Sequence, residues 1–434
     1  MKDVLNRLGV NTLLLKITSL NGIAVIFQVL GGLITSKLIA IYLGERGMAL
    51  LGYMRNFLTA TQATASLGFG SGVTALVAKK NEENKPIYKL LSSASVVSLG
   101  VSILISILLF FGATYWNTTI FKDQGDFTTV FKYLAIALPF ITLNGLIIAY
   151  INGLSKYKKI VWINIIANLI GLAISTFFII NGGVKGALLA LVISPAVAII
   201  VTLLFIINKN SDSIKLKFKN VNLADIKQLG SYTIMAFFSA IVLPFVYILI
   251  RQHIVQEQGI EQAGYWDAMT RISDYYFKFV ATLMTLYLLP QLAKASTNEL
   301  FRKEVFGFYK TILPLFTLGL ILVFFLRHFI IQLIYTDDFL AMGSIFKWQL
   351  LGDFFKVASI VVGYQIISKN MLKLFLFTEV ISLVIIYGAS TYFITSYGFV
   401  GAAMGHCLTY FVHLCMLLFI FRRALFGKLN TIDE

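Results

Sequence analysis

The sequence predicts an all-α, multi-pass membrane protein of about twelve transmembrane helices in two six-helix lobes, related by a pseudo-two-fold axis along the membrane normal. Three observations lead there. Apolar runs of roughly 17–25 residues, each long enough to cross a bilayer, recur from end to end. The chain is 58% hydrophobic and 13% charged, whereas a soluble domain has about a quarter of its residues charged. Finally, small motifs of the first half return in the second half at a nearly constant offset.

Hydrophobic periodicity and run length place the first six spans at 12–43, 47–77, 88–113, 128–153, 159–181 and 184–208. The second six fall at 226–253, 262–292, 305–330, 343–368, 371–395 and 399–422. Between them lies a polar, basic linker, so the expected organisation is an N-lobe (1–208), a cytoplasmic linker (209–225) and a C-lobe (226–434). The amino-terminal start, with Lys2 and Arg7, precedes a long apolar run without a small-residue cleavage site and reads as a retained first helix.

The net charge is +16, but its distribution excludes nucleic acid as a partner. The basic residues sit in short loops between apolar runs instead of on one face. About 24 Lys and Arg fall at the amino end, the even-numbered loops and the tail, against about 6 in the opposite loops. Both termini are therefore expected on the cytoplasmic side. Cys407 and Cys415 are eight positions apart on one apolar run, too far for an intrahelical bridge.

The repeat offset is about 212–215 residues. Gly52-Tyr53 recurs as Gly264-Tyr265. Ser175-Thr176-Phe177-Phe178-Ile179 recurs as Ser390-Thr391-Tyr392-Phe393-Ile394, and Gly183, Gly186 and Ala187 recur as Gly398, Gly401 and Ala402. On the same offset Lys37 matches Arg251, and Gly31-Gly32 matches the neighbourhood of Pro244. Glycine pairs and prolines bend helices, so Gly31, Gly32 and Pro244 are candidate hinges, with ordinary packing as the alternative.

The centre of interest is AGYWDAMTRISDYYFKF (Ala263–Phe279). Asp267, Arg271, Asp274 and Lys278, at spacings of four, three and four, share one helix face. A central charge facing lipid costs about 2.5–3.5 kcal/mol, so this stripe must face a cavity or another helix. At neighbour spacing the four charges can partly satisfy one another. The other intramembrane cations are Lys37, Arg55, Arg251, Lys347 and Lys356; the remaining acids are Asp353 and Glu379. Seven cations against four acids suit an anionic head group. Lys37, Arg55, Arg251, Arg271, Lys278, Lys347 and Lys356 are thus candidate substrate contacts, with Tyr265 and Trp266 as stacking platforms for sugar rings. Asp267, Asp274, Asp353 and Glu379 are candidates for charge pairing or ion coupling.

No catalytic motif, metal site or cofactor-binding pattern is present, and no GxxxxGK[ST] loop supplies ATP hydrolysis. His406 and His413 share a face but have no carboxylate beside them in sequence, so packing or hydrogen bonding is expected for both.

The segments MAFFSAIVLPFVYILIRQ (Met235–Gln252), AGYWDAMTRISDYYFKF, YLLPQL (Tyr287–Leu292), KWQLLGDFFKV (Lys347–Val357) and FLFTEV (Phe375–Val380) resemble the Wzx translocases, nearest the enterobacterial common antigen (lipid III) branch. The resemblance implies the multidrug/oligosaccharidyl-lipid/polysaccharide (MOP) exporter fold, MATE-like, working by alternating access. It implies a flippase, not an enzyme, acting on an undecaprenyl-pyrophosphate-linked oligosaccharide in the bacterial inner membrane, with polysaccharide polymerase and chain-length machinery as further partners. Asp267, Arg271 and Lys278 depart from that branch, where uncharged polar residues are expected. The rival readings are a multidrug cation antiporter of the same superfamily, disfavoured by the cation excess, and a membrane glycan polymerase or ligase, disfavoured by the short outward loops.

Overall fold

The structure, a computed structural model, describes residues 12–83, 85–207, 222–295, 297–369 and 371–427. The basic amino-terminal start and residues 209–221 of the linker lie outside them. Among the described residues every regular element is helical. The first half contains α1 (Thr12–Ser66), α2 (Phe69–Glu82), α3 (Tyr88–Phe111), α4 (Ala113–Phe121), α5 (Thr128–Gly153) and α6 (Tyr157–Ile207). Next come α7 (Leu223–Gln258), α8 (Ile260–Leu283), a π-helical turn (Met284–Leu288), α9 (Leu289–Lys294) and α10 (Asn298–Phe325). The chain ends with α11 (Arg327–Ile334), α12 (Phe346–Ser368), α13 (Leu372–Tyr397), α14 (Val400–Ile420) and α15 (Arg422–Phe426). Without water to bond to, a membrane-buried backbone must satisfy its own N–H and C=O groups, and helices do so within one segment.

Nine of these helices are long and apolar enough to cross a membrane, among the described residues. Two of the nine each cover two sequence-predicted spans: α1 turns at Gly44 (φ 61, ψ −161) and α6 at Gly183 (φ 53, ψ −140), the predicted span 47–77 being broken after Ser66 and continued in α2. Counting these twice and adding α8, whose charges exclude it by composition, gives the twelve spans predicted. This is a multi-pass helical membrane protein.

The turns also show the repeat in three dimensions. Gly259 (φ 98) separates α7 from α8, and Gly398 (φ 67) separates α13 from α14. The offset is 215 residues for both pairs of turns (44 to 259, 183 to 398). Three residues later the match continues: a Cβ on Gly186 would lie 2.0 Å from the Phe178 carbonyl oxygen, and one on Gly401 2.3 Å from that of Phe393. The shared glycines mark one tight turn built twice. Gly183→Ala and Gly398→Ala are each expected to lower stability by about 1–3 kcal/mol, since a side chain there is strained whatever the space around it. Gly182→Ala, with nothing within 4 Å of the new Cβ, should leave the thermal midpoint of the purified protein unchanged.

The chain forms two compact units, one drawn from Met1–Leu43 and Leu50–Ile248, the other from Gly44–Ala49 and Leu249–Glu434. In the first, Phe69, Val73, Leu76 and Val77 of α2 pack with Leu90 and Ala94 of α3, Leu146 and Ala149 of α5, and Leu229 of α7. Lys80 pairs with Asp225 at 2.8 Å, and Ser93 Oγ accepts from the Asn222 N–H at 2.9 Å. The first turns of α7 are therefore fastened to α2, α3 and α5. The compact units divide the chain inside α1 and α7, whereas the sequence halves divide it at the linker.

In the second unit, Gly264 lets α8 lie against residue 45: a Cβ there would be 2.1 Å from the Glu45 carbonyl oxygen. The candidate hinges sit inside continuous helices. α1 runs through Gly31 and Gly32, with Thr35 Oγ1 donating to the Gly31 carbonyl at 2.8 Å. α7 runs through Pro244.

Candidate functional site

Helix α8 carries the charged stripe, and its members find different partners. Asp267 is 1% exposed and Arg251 2% exposed. Arg251, from α7, donates through Nε to Asp267 Oδ2 and through Nη2 to Oδ1, both at 2.7 Å. This two-pronged geometry suits a planar guanidinium and a carboxylate. The indole of Trp266 completes the arrangement, 5.3 Å from the guanidinium carbon. Sequence spacing gives Asp267 to Arg271, one turn along the same helix; the structure corrects this. The neighbouring helix brings the guanidinium fork-to-fork against the carboxylate.

Arg271 instead faces the Tyr275 and Tyr335 side chains and the Asp274 carboxylate. Asp274 is exposed. Lys278 is half-buried, its Nζ 5.8 Å from the Tyr275 ring centre. Tyr265 packs against the rings of Phe339 and Phe399 and donates to Glu45 Oε1 at 3.4 Å. Trp266, 3% exposed, is enclosed in this conformation and presents no open face to a sugar.

The second cluster surrounds Asp353 of α12, which is 0% exposed. Its carboxylate accepts from Ser273 Oγ at 2.7 Å and from the Tyr276 hydroxyl, both on α8. Gln349 Nε2 reaches it at 3.3 Å from the preceding turn, and His406 Nε2 of α14 lies 2.9 Å from Oδ1. Three helices thus converge on one carboxylate, and four neighbours supply hydrogen bonds that offset the cost of burying it. The hydrogen-bonding role expected of His406 is what the structure shows, with a carboxylate partner that comes from a helix more than fifty residues away in sequence. Gly352 makes this approach possible, since a Cβ there would lie 2.4 Å from His406 Cδ2. Sequence reasoning gave none of Ser273, Tyr276, Gln349 and His406 a part in charge pairing or ion coupling, and the structure gathers all four around Asp353. The small residues Gly352 and Gly405 beside Asp353 and His406 were the available signal, because small residues let helices approach closely.

One turn from Asp353, Lys356 is half-buried, with its ammonium 4.1 Å from the Phe277 ring centre and 5.4 Å from that of Tyr410. Among the described residues it has no carboxylate within salt-bridge distance. Lys347 lies on another face of α12, exposed, 5.2 Å from the Trp348 ring centre. Glu379 is half-buried on α13. Lys37 and Arg55 are half-buried in the first unit. The second unit therefore brings together Arg251 with Asp267 and Trp266, and Asp353 with the neighbourhood of Lys356, but not Lys347.

A chain of about twelve spans with charged and polar networks sealed inside one unit has the architecture of a membrane transporter. The fold agrees. An inward-facing multidrug resistance MATE family transporter of the MOP superfamily superposes with a TM-score of 0.78 at 12% identity, covering 92% of this chain and 95% of that one. The lipid II flippase MurJ, in an inward closed conformation, gives 0.70 at 17% identity over 92% and 87%. The family pattern of polysaccharide biosynthesis proteins matches residues 14–296, and the chain belongs to that family. The lipid III flippase of Escherichia coli (strain K12) is 28% identical over 394 residues, 90% of this chain and 94% of that protein.

Proposed function

We propose that the protein flips an undecaprenyl-pyrophosphate-linked oligosaccharide, a repeat unit of the O-antigen or enterobacterial common antigen type, from the cytoplasmic to the periplasmic leaflet of a bacterial inner membrane. The end-to-end likeness to a lipid III flippase carries this reading. In it the halves 1–208 and 226–434 act as alternating-access lobes, both termini are cytoplasmic, and the flipped unit passes to polymerase and chain-length machinery. Gly31, Gly32 and Pro244 supply the bending.

The site chemistry supports a divided role for the cations. Arg251 is committed to Asp267 and acts by holding α7 against α8. Lys356, with aromatic rings on two sides and no carboxylate bridging it, is the cation best placed to meet a pyrophosphate, with Lys37, Arg55, Arg271 and Lys278 as further contacts. Asp353 and His406 form the pair suited to coupling, and Asp274 and Glu379 are additional acids for that role.

Depletion of the protein should cause a pyrophosphate-linked oligosaccharide to accumulate in the cytoplasmic leaflet; unchanged lipid pools would defeat the flippase reading. A charge-assisted contact is worth about 1.5–3 kcal/mol, so Lys356→Glu should slow flipping at least about tenfold. A normal rate in that variant would remove Lys356 from the site while leaving the flippase reading intact.

A further inference from the structure

We propose that the cleft between α10 and α12 binds one hydrocarbon chain of an anionic phospholipid, with the lipid phosphate held by Lys347 and Arg327. The cleft has a volume of about 560 Å³, and its walls include Leu320, Ile321 and Phe324 of α10 and Leu350, Leu351 and Phe354 of α12, with Lys347 as the charged member. Volumes of about 300–1,000 Å³ are typical of small-molecule pockets, so a single chain fits, and walls this apolar suit hydrocarbon.

The sequence builds both walls by the same rule. Lys347, Leu350, Leu351 and Phe354 follow the i, i+3, i+4, i+7 pattern of one helix face, as do Thr317, Leu320, Ile321 and Phe324. Asp353 and Lys356 fall outside that face, so the cleft is separate from the Asp353 cluster.

Two cations stand at one end of the cleft. The Arg327 guanidinium lies 4.6 Å from the centre of the Phe324 ring, which lines the cleft, and donates to the Phe324 carbonyl at 2.9 Å. His328 packs beside Gly343, four residues before Lys347: a Cβ on Gly343 would be 3.5 Å from its Cε1. Arg327 and Lys347 therefore lie at the same end. Neither has a carboxylate within salt-bridge distance among the described residues. Arg327 opens α11, which buries Ile331 while Phe329 and Leu333 are each 62% exposed. A short helix with outward apolar residues beside cations lies in the membrane interface, and Trp348 next to Lys347 suits the same level. This places the cations among the head groups and the apolar cleft below them in hydrocarbon. A phosphate satisfies both cations, and phospholipid is the abundant amphiphile that fills such a site by mass action.

The test is native mass spectrometry of the purified full-length protein, delipidated and then offered phosphatidylglycerol or phosphatidylcholine of equal chain length. The wild type should retain phosphatidylglycerol at least about tenfold better. Lys347→Glu combined with Arg327→Glu should abolish that preference, and Leu351→Trp, which fills the cleft, should release both lipids. If the double charge reversal does not fold, Lys347→Gln alone should still reduce the preference. Equal retention of the two lipids by the wild type, or an unaltered preference in the charge variants, would overturn the proposal. Displacement of phosphatidylglycerol by equimolar polyprenyl phosphate would overturn the phospholipid assignment and give the cleft to a polyprenyl tail.

Discussion

Asp267→Ala, with Arg251 left in place, is expected to lower stability by about 3–5 kcal/mol, because it strands a buried guanidinium without its counter-charge. Both partners are almost fully enclosed, so water cannot take over the lost hydrogen bonds. The thermal midpoint of the detergent-purified protein is the measurement. The double variant Arg251→Met/Asp267→Leu should recover most of the loss, since apolar side chains of similar volume replace a buried ion pair with a change between neutral and about 1–4 kcal/mol of stabilisation. A double variant as unstable as Asp267→Ala would show that shape, not charge, holds α7 against α8. Flipping by the double variant then separates roles. Transport retained at full rate assigns the pair to structure alone, whereas transport lost in a stable protein makes Arg251 part of the cycle.

The second large effect is expected at Asp353. Asp353→Ala leaves up to four buried polar groups, on Ser273, Tyr276, Gln349 and His406, without their acceptor. Each unsatisfied buried group costs about 1–3 kcal/mol, and because they share one acceptor the costs will not simply add. A cluster that only supports the fold predicts that Asp353→Asn, which keeps the shape and one oxygen acceptor, behaves close to wild type in both stability and flipping. A cluster that couples ion movement to transport predicts a stable Asp353→Asn protein with flipping reduced at least about tenfold, matching the loss in His406→Asn. The coupling role proposed for this pair requires the second result. Flipping by Asp353→Asn at the wild-type rate would end it.

The architecture was largely legible in the chain because its signals are local. Run length reports span number, since the bilayer sets the length of a helix that must satisfy its own backbone. The glycines at 183, 186, 398 and 401 reported the repeat, and the structure shows why: each pair occupies the same positive-φ turn or the same close approach to a carbonyl. The stripe at Ala263–Phe279 was equally legible as a set of charges that cannot face lipid.

Which partner each charge takes was decided by the tertiary structure. Helical spacing gave Asp267 a neighbour in Arg271, yet the carboxylate faces Arg251 across a helix boundary, where two parallel hydrogen bonds form. His406 had no carboxylate near it in sequence and has Asp353 beside it in space, admitted by Gly352. Lys347 and Lys356 belong to one charged segment of sequence but point to different surroundings, an apolar cleft for one and a pair of aromatic rings for the other. Periodicity along a chain determines which residues share a face. It carries no information about which helix that face meets, and for a buried charge the identity of that helix sets both its energy and its role.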